Sequence, residues 1–154
     1  MDFHLDLNTE PVTHAHPAKP VCVKPNTTVR EVIETLRQHK TGSLLICRDG
    51  ELLGVFTERD ALKLIAKGGD FDVSIQQAMI ANPVTLRPTD TVGVAINKMA
   101  SGGYRRLPIV NKQGQPEGLV KVSGILHYLV EHFPSIIYTL PPSPHHTLQQ
   151  REGA

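Results

Sequence analysis

The chain is expected to fold as an α+β protein: two β-α-β-β-α units in tandem, related by a pseudo-two-fold axis and packed through their sheets. Three observations predict this. The sequence is written twice; each copy moves between an apolar period of 2 and one of 3.6; and one copy alone is too small to bury both its helices and one face of its sheet.

The duplication shows when "VCVKPNTTVREVIETLRQHKTGSLLICR", from Val21, is set against "VTLRPTDTVGVAINKMASGGYRRLPIVN", from Val84. Val21 meets Val84, Pro25 meets Pro88, Thr28 meets Thr91, Val29 meets Val92 and Ile46 meets Ile109. One extra residue in the second copy's turn, "NKQGQPEG", then brings Gly54 onto Gly118 and Leu62 onto Leu126. Identities are few, but the apolar pattern is kept throughout.

In chain order, residues 1–20 hold three prolines and no periodicity, and are expected as an extended lead-in. Residues 21–70 make the first unit. Val21 and Val23 form a short alternating segment and predict a strand closed by Pro25. Val29, Val32, Ile33 and Leu36 recur at helical spacing, with Thr28-x-x-Glu31 as a capping box at the start. "SLLIC" and "LLGVF" flank "RDGE" and predict a hairpin with an Asp-Gly turn. A second helix, from about Glu58 to Lys67, stops at Gly68-Gly69. Residues 71–133 hold a linker with a short helix in "FDVSIQQAMIANP", then the second unit. Its strand is expected at Val84 and Leu86, and its first helix on Val92, Ala95, Ile96 and Met99. A hairpin of "LPIV" and "EGLVKV" follows, then a helix from about Ser123 to His132, before Pro134. Residues 134–154 form a Pro-rich tail. Its apolar group Ile136, Ile137, Tyr138 and Leu140 is either mobile or docked on the body or a sister chain.

Composition narrows the function. The chain has 154 residues, 40% apolar and 20% charged, with a formal net charge of +1. Such a balance offers no long-range attraction for nucleic acid, and 5% aromatic residues with no Trp provide no base-stacking platform. No apolar run approaches the roughly 20 residues that span a bilayer, and the acidic start "MDFHLDLNTEP" is unlike a secretory signal. A cytoplasmic protein without membrane or nucleic-acid partners is expected. The two cysteines, Cys22 and Cys47, lie in apolar, β-branched surroundings and are expected as two buried free thiols. There is no Ser-His-Asp order in elbow context, no P-loop and no G-x-G-x-x-G, so no catalytic residues are assigned. The pairs His14/His16 and His145/His146 could meet over a metal only if the two ends met. No carboxylate or Cys stands at a recognised spacing, so no metal site is assigned.

Two short stretches suit a ligand. Thr57-x-x-Asp60 approximates a capping box, and by spacing alone capping is its first reading. A carboxylate at Asp60 also accepts two hydrogen bonds and can hold a vicinal diol. Arg105 and Arg106 read as a solvated pair ahead of a strand, yet their planar forks of donors also suit phosphate.

In combination, these residues resemble a cystathionine-β-synthase (CBS) domain pair, or Bateman module. "GVFTERDALK" is similar to that family's closing signature, G-h-h-T-x-x-D, and "RRLPIVN" to its middle one, a basic pair before L-P-V. The resemblance covers about residues 20–132. It implies a stand-alone regulatory module that binds an adenosine-containing ligand in a cleft between the repeats and signals to an effector protein still to be named. AMP, ADP or ATP is the implied ligand, with S-adenosylmethionine or NAD as the alternative and no cofactor required. It also implies a disc-like homodimer. Carried over residue by residue, the cleft takes Thr57 and Asp60 at the ribose and Arg105 and Arg106 at the phosphate. Val55, Phe56, Pro83, Val84 and Pro108 fall around the adenine.

The departures matter. Lys121 and Gly124 stand in "GLVKVSGIL" where the family has Thr and Asp, and Gly42-Ser43 stands where a basic pair would serve that same second cleft. One nucleotide site per chain is therefore expected, at Asp60, with Lys121 filling the other cleft or holding a different anion. A structural dimerisation module with empty clefts is the competing reading.

Overall fold

The computed structural model describes residues 4–132. The Pro-rich tail, with Ile136–Leu140 and His145/His146, lies outside the described residues.

The first unit contains β1 (Cys22–Val23), α2 (Val29–His39), β2 (Ser43–Arg48), β3 (Glu51–Thr57) and α3 (Glu58–Ala66), preceded at the N-terminus by α1 (His4–Thr9). Thr28 caps α2 in the capping box expected: its hydroxyl accepts from Glu31 N–H, and Glu31 accepts from Thr28 N–H. β2 and β3 form a hairpin whose two turn residues, Asp49 and Gly50, both have positive φ, at 52° and 82°. This is the backbone that an Asp-Gly pair adopts in a tight hairpin turn. The linker carries α4 (Ile75–Ala78) and β4 (Ile80–Ala81), which pairs antiparallel with β3. The first sheet therefore runs β1-β2-β3-β4.

The second unit contains α5 (Val92–Gly102), β5 (Arg106–Val110), β6 (Pro116–Lys121) and α6 (Val122–His132). Its expected first strand is reduced to one residue. Leu86 pairs in parallel with Ile109, donating to Pro108 O and accepting from Val110 N–H. Pro83 and Pro88 on either side have no N–H for a longer ladder.

Each unit completes its core with a segment that precedes the other. Ile75 of α4 is fully buried with Val29, Val32, Leu44, Ile46 and Phe56 of the first unit. Val12, at the same place in the duplication, is fully buried with Leu86, Val92, Leu107, Ile109 and Val120 of the second. The backbone bonds match: Ile75 N–H donates to Thr27 O, and Val12 N–H to Asp90 O. The extended lead-in expected over residues 1–20 is thus corrected. Residues 4–9 form α1, Val12–His14 form a 3-10 turn, and Ala15 is buried. The physical reason is the open core of the second unit, which needs an apolar plug. Val12 and Ala15 are buried in it and Leu7 packs against it, an irregular set that does not show as a period.

Leu45 on β2 and Leu119 on β6 are also buried, yet belong to neither core. Strand alternation puts Leu45 on the face opposite Leu44 and Ile46. Leu45 and Leu119 meet the same inter-unit cavity, so the sheets face one another across it.

Gly54 and Gly118, paired in the duplication, serve one purpose. A Cβ on Gly54 would lie 2.8 Å from Ile80 O and 2.5 Å from Met79 Sδ, and one on Gly118 would lie 3.1 Å from Pro17 Cβ. Both let an added strand or strap press against the hairpin.

The cysteines differ from expectation in one respect: both are free, but only Cys47 is buried, while Cys22 on the edge strand β1 is exposed. Burial, then the neighbouring Cys22, pushes the Cys47 thiol up to about 12. A thiol held protonated is a poor nucleophile. At pH 8 the native protein is expected to release colour from one thiol with Ellman's reagent and from two after denaturation. Two fast thiols in the native state would contradict this placement. Among the described residues no helix is long and apolar enough to cross a membrane.

Candidate functional site

A cavity of about 680 Å³ opens between the two units, within the range usual for small-ligand sites. The hairpin and α3 supply one wall through Val55, Thr57 and Asp60; β4 and the following loop supply Ile80, Asn82, Pro83 and Val84; and β5 with its lead-in supplies Tyr104, Arg105, Arg106 and Pro108.

Thr57 ends β3 and caps α3. Its hydroxyl oxygen accepts from Asp60 N–H at 3.3 Å, while Asp60 Oδ2 accepts from Thr57 N–H at 2.9 Å and from the Thr57 hydroxyl at 3.0 Å. The pair is a complete capping box. Asp60 Oδ1 takes part in none of these bonds and has no other partner among the described residues. One carboxylate oxygen can accept two hydrogen bonds, so Asp60 can cap its helix and hold a diol together. Thr57 and Asp60 are both half-buried at the cavity wall.

Arg106 opens β5 opposite Lys121 and is half-buried; Arg105 is exposed. Neither guanidinium has an ion-pair partner among the described residues. With Arg59 and Lys63 they line the cavity as four cations against two carboxylates, Glu58 and Asp60. The chain as a whole is nearly neutral, so this excess is local, and its sign suits an anion.

The sequence-derived set is brought together with one exception. Phe56 does not reach the cavity. It is 1% exposed and packs in the first core, because consecutive strand residues face opposite ways and Val55 and Thr57 take the cavity side. Gly42 and Ser43 are the second correction. Expected at the other cleft, they line this one, because β2 begins beside the cap of α3, where Glu58 N–H donates to Gly42 O. A Cβ on Gly42 would lie 2.7 Å from Arg106 Nη2, so the missing side chain is the space the guanidinium uses. Ser43 Oγ is buried without a partner.

Tyr104, Asn82 and Ile80 were missed. Ile80 and Tyr104 are 51% and 41% exposed, unusual for such side chains and explained here by the cavity they border. The only signal in the sequence was adjacency, to Pro83-Val84 and to Arg105-Arg106.

Gly124 stands at the place in the second copy that Asp60 holds in the first. A Cβ there would lie 2.6 Å from Ala15 O, so the N-terminal strap occupies the space that a side chain at this position would need.

A family model described as the CBS domain matches residues 12–67 and 72–131. Among curated relatives, an uncharacterized protein of Methanopyrus kandleri is 35% identical over 69% of this chain and 57% of its own length. The CBS domain-containing protein YhcV of Bacillus subtilis is 34% identical over 67% of this chain and 74% of its own. An uncharacterized protein of Acidianus ambivalens is 29% identical over 71% of this chain. The chain spans 66% and 57% of the length of the Acidianus and Methanopyrus proteins. A solved CBS domain protein from Pyrobaculum aerophilum, complexed with AMP, superposes with a TM-score of 0.70 at 26% identity, over 79% of this chain and 98% of that one. A conserved protein from Pyrococcus horikoshii superposes with a TM-score of 0.72 at 26% identity, over 80% of this chain and 94% of that one.

Proposed function

The chain belongs to the CBS-domain family, and from that premise we propose that it is a regulatory, non-catalytic module that binds an adenine nucleotide in the cleft at Asp60. One observation carries the reading: a half-committed carboxylate and a set of unpaired cations border the same cavity. Asp60 Oδ1 takes the ribose hydroxyls. Arg105 and Arg106 take the phosphate, and the α3 N-terminus adds a positive dipole end. Val55, Ile80, Pro83 and Val84 offer an apolar slot for the adenine, and Tyr104 an aromatic face. The AMP complex of the Pyrobaculum protein supports AMP as the first ligand to try.

The ligand's effect reaches a partner through a homodimer. α3 and α6 expose Leu62, Ile65, Leu126 and Val130, and Leu62 and Leu126 match in the duplication. Such a face suits an isologous helix-to-helix contact, in a cytoplasmic protein with a separate effector.

A melting screen with AMP, ADP, ATP, NAD and S-adenosylmethionine tests the binding. A nucleotide at 100 times its Kd stabilises the native state by about 2.7 kcal/mol, a rise of roughly 5–10 °C for a chain of this size. No rise with any of the five leaves the dimerisation module with empty clefts as the surviving reading.

A further inference from the structure

The strap that follows the 3-10 turn crosses α6 at Gly124. A Cβ at that position would lie 2.6 Å from Ala15 O and 3.3 Å from His16 O, so a glycine is what lets the strap lie so close. Three and seven residues further along one face of the helix stand His127 and Glu131. His16 arrives directly over them. Its Nε2 is hydrogen-bonded to Glu131 Oε1, and its ring stacks on that of His127 with centroids 4.4 Å apart and planes 16° from parallel. His127 Nε2 lies 3.8 Å from Glu131 Oε2. One nitrogen or oxygen from each of the three residues falls within 4.8 Å of the others, and all three residues are exposed.

His16 itself has a φ of 51°, in the left-handed region that, among residues with a Cβ, Asn, Asp and His enter most readily. The fold does not require the cluster. The corresponding places in the first unit hold Met79, Lys63 and Lys67, with Asp60 in place of Gly124.

We propose that His16, His127 and Glu131 bind a divalent transition-metal cation of the zinc type, which fastens the N-terminal strap to α6. Imidazole is a borderline donor that suits such ions, and two imidazoles beside one hard carboxylate favour them over magnesium or calcium. Modest side-chain rotations bring the donors to the roughly 2.0–2.2 Å that zinc takes, and a three-residue set leaves the fourth position to water. The hydrogen bond from His16, more than the charges of His16, His127 and His132 around it, holds the Glu131 carboxyl below its ordinary range, so it is ionised at neutral pH. His14, two residues before His16, is paired with Glu10 instead. The strap also plugs the second core through Val12 and Ala15, so a metal here stabilises that core. The site is separate from the nucleotide cleft and stands or falls independently of it.

The full chain, stripped with a chelator, is titrated with zinc by calorimetry and melted with and without it. One zinc per chain and a higher melting temperature are expected, with no effect of magnesium. His127→Ala and Glu131→Gln each weaken zinc binding by about tenfold or more. His145→Ala/His146→Ala, which removes the other histidine pair, leaves the affinity unchanged. Metal-free melting of each variant in the same series establishes that it is folded. Cobalt(II) added to the wild type gives the intense visible absorption of a four-coordinate site, independently of any variant. Zinc binding that survives both α6 variants, or that is lost only with His145 and His146, overturns the proposal. So does an absence of zinc-dependent stabilisation in the wild type.

Discussion

Asp60→Asn is expected to lower AMP affinity about ten- to a hundredfold, the cost of removing the charge from hydrogen bonds worth about 1.5–3 kcal/mol. The free protein keeps its melting temperature within about a degree or two, since an amide oxygen still accepts from Thr57 N–H. Asp60→Ala separates the two roles further. It removes the same ligand group and also the carboxylate half of the capping box, the acceptor of Thr57 N–H, while Thr57 still caps the helix; this costs about 1 kcal/mol more and lowers melting by roughly 2–4 °C. Titration calorimetry with AMP and a melting curve on each variant check both parts. If affinity falls only in Asp60→Ala and in proportion to lost stability, Asp60 is the capping-box partner of Thr57 and nothing else.

The second large effect comes from a residue that is not itself among those lining the cavity. Gly54→Val is expected to destabilise the protein by about 1–3 kcal/mol or more, read as a drop in the denaturant midpoint. Its Cβ would lie 2.8 Å from the carbonyl of Ile80, and backbone cannot swing aside as a long side chain can. β4 must then separate from β3, opening the pairings of Gly54 with Ala81 and Val55 with Ile80. Because Ile80 and Val55 both border the cavity, AMP binding falls with stability. Gly42→Ala offers the contrast. Its obstacle is the mobile end of Arg106, so stability is kept and the effect is confined to the phosphate end of the cleft.

Much of this was legible in the sequence, and what was not has physical reasons. The repeats, the capping boxes and the Asp-Gly turn are local devices: each is set by residues within a few positions of one another, and each appears where its residues stand. Asp60 and Arg106, far apart in sequence, could be brought to one cleft only through the resemblance to a known pair. Failures came where a single residue's meaning depended on its tertiary neighbour. Phe56 carries the same apolar signal as Val55, and only the pleat decides which of them meets the ligand space. Val12 has no periodic companions, because its role is to fill a gap in a core formed by residues much later in the chain. His16 stands in a proline-rich stretch without a partner in sequence, and gains His127 and Glu131 only once Gly124 lets the strap close on α6.

Gly124 also links two observations that the sequence presents separately. Read against its counterpart Asp60, it marks a cleft without a ribose-binding carboxylate. In the fold it is the contact point of the strap. The residue that stands where the family signature has its carboxylate is thus also the residue on which the chain's own N-terminal segment rests.

The stoichiometry of nucleotide binding is the most direct test. In calorimetric titration with AMP, one site per chain is expected in the wild type, with tenfold or greater weakening in Asp60→Asn and in Arg106→Ala. Two equivalent sites per chain, or one site untouched by both substitutions, would contradict the assignment of the ligand to the cleft between Asp60 and Arg106.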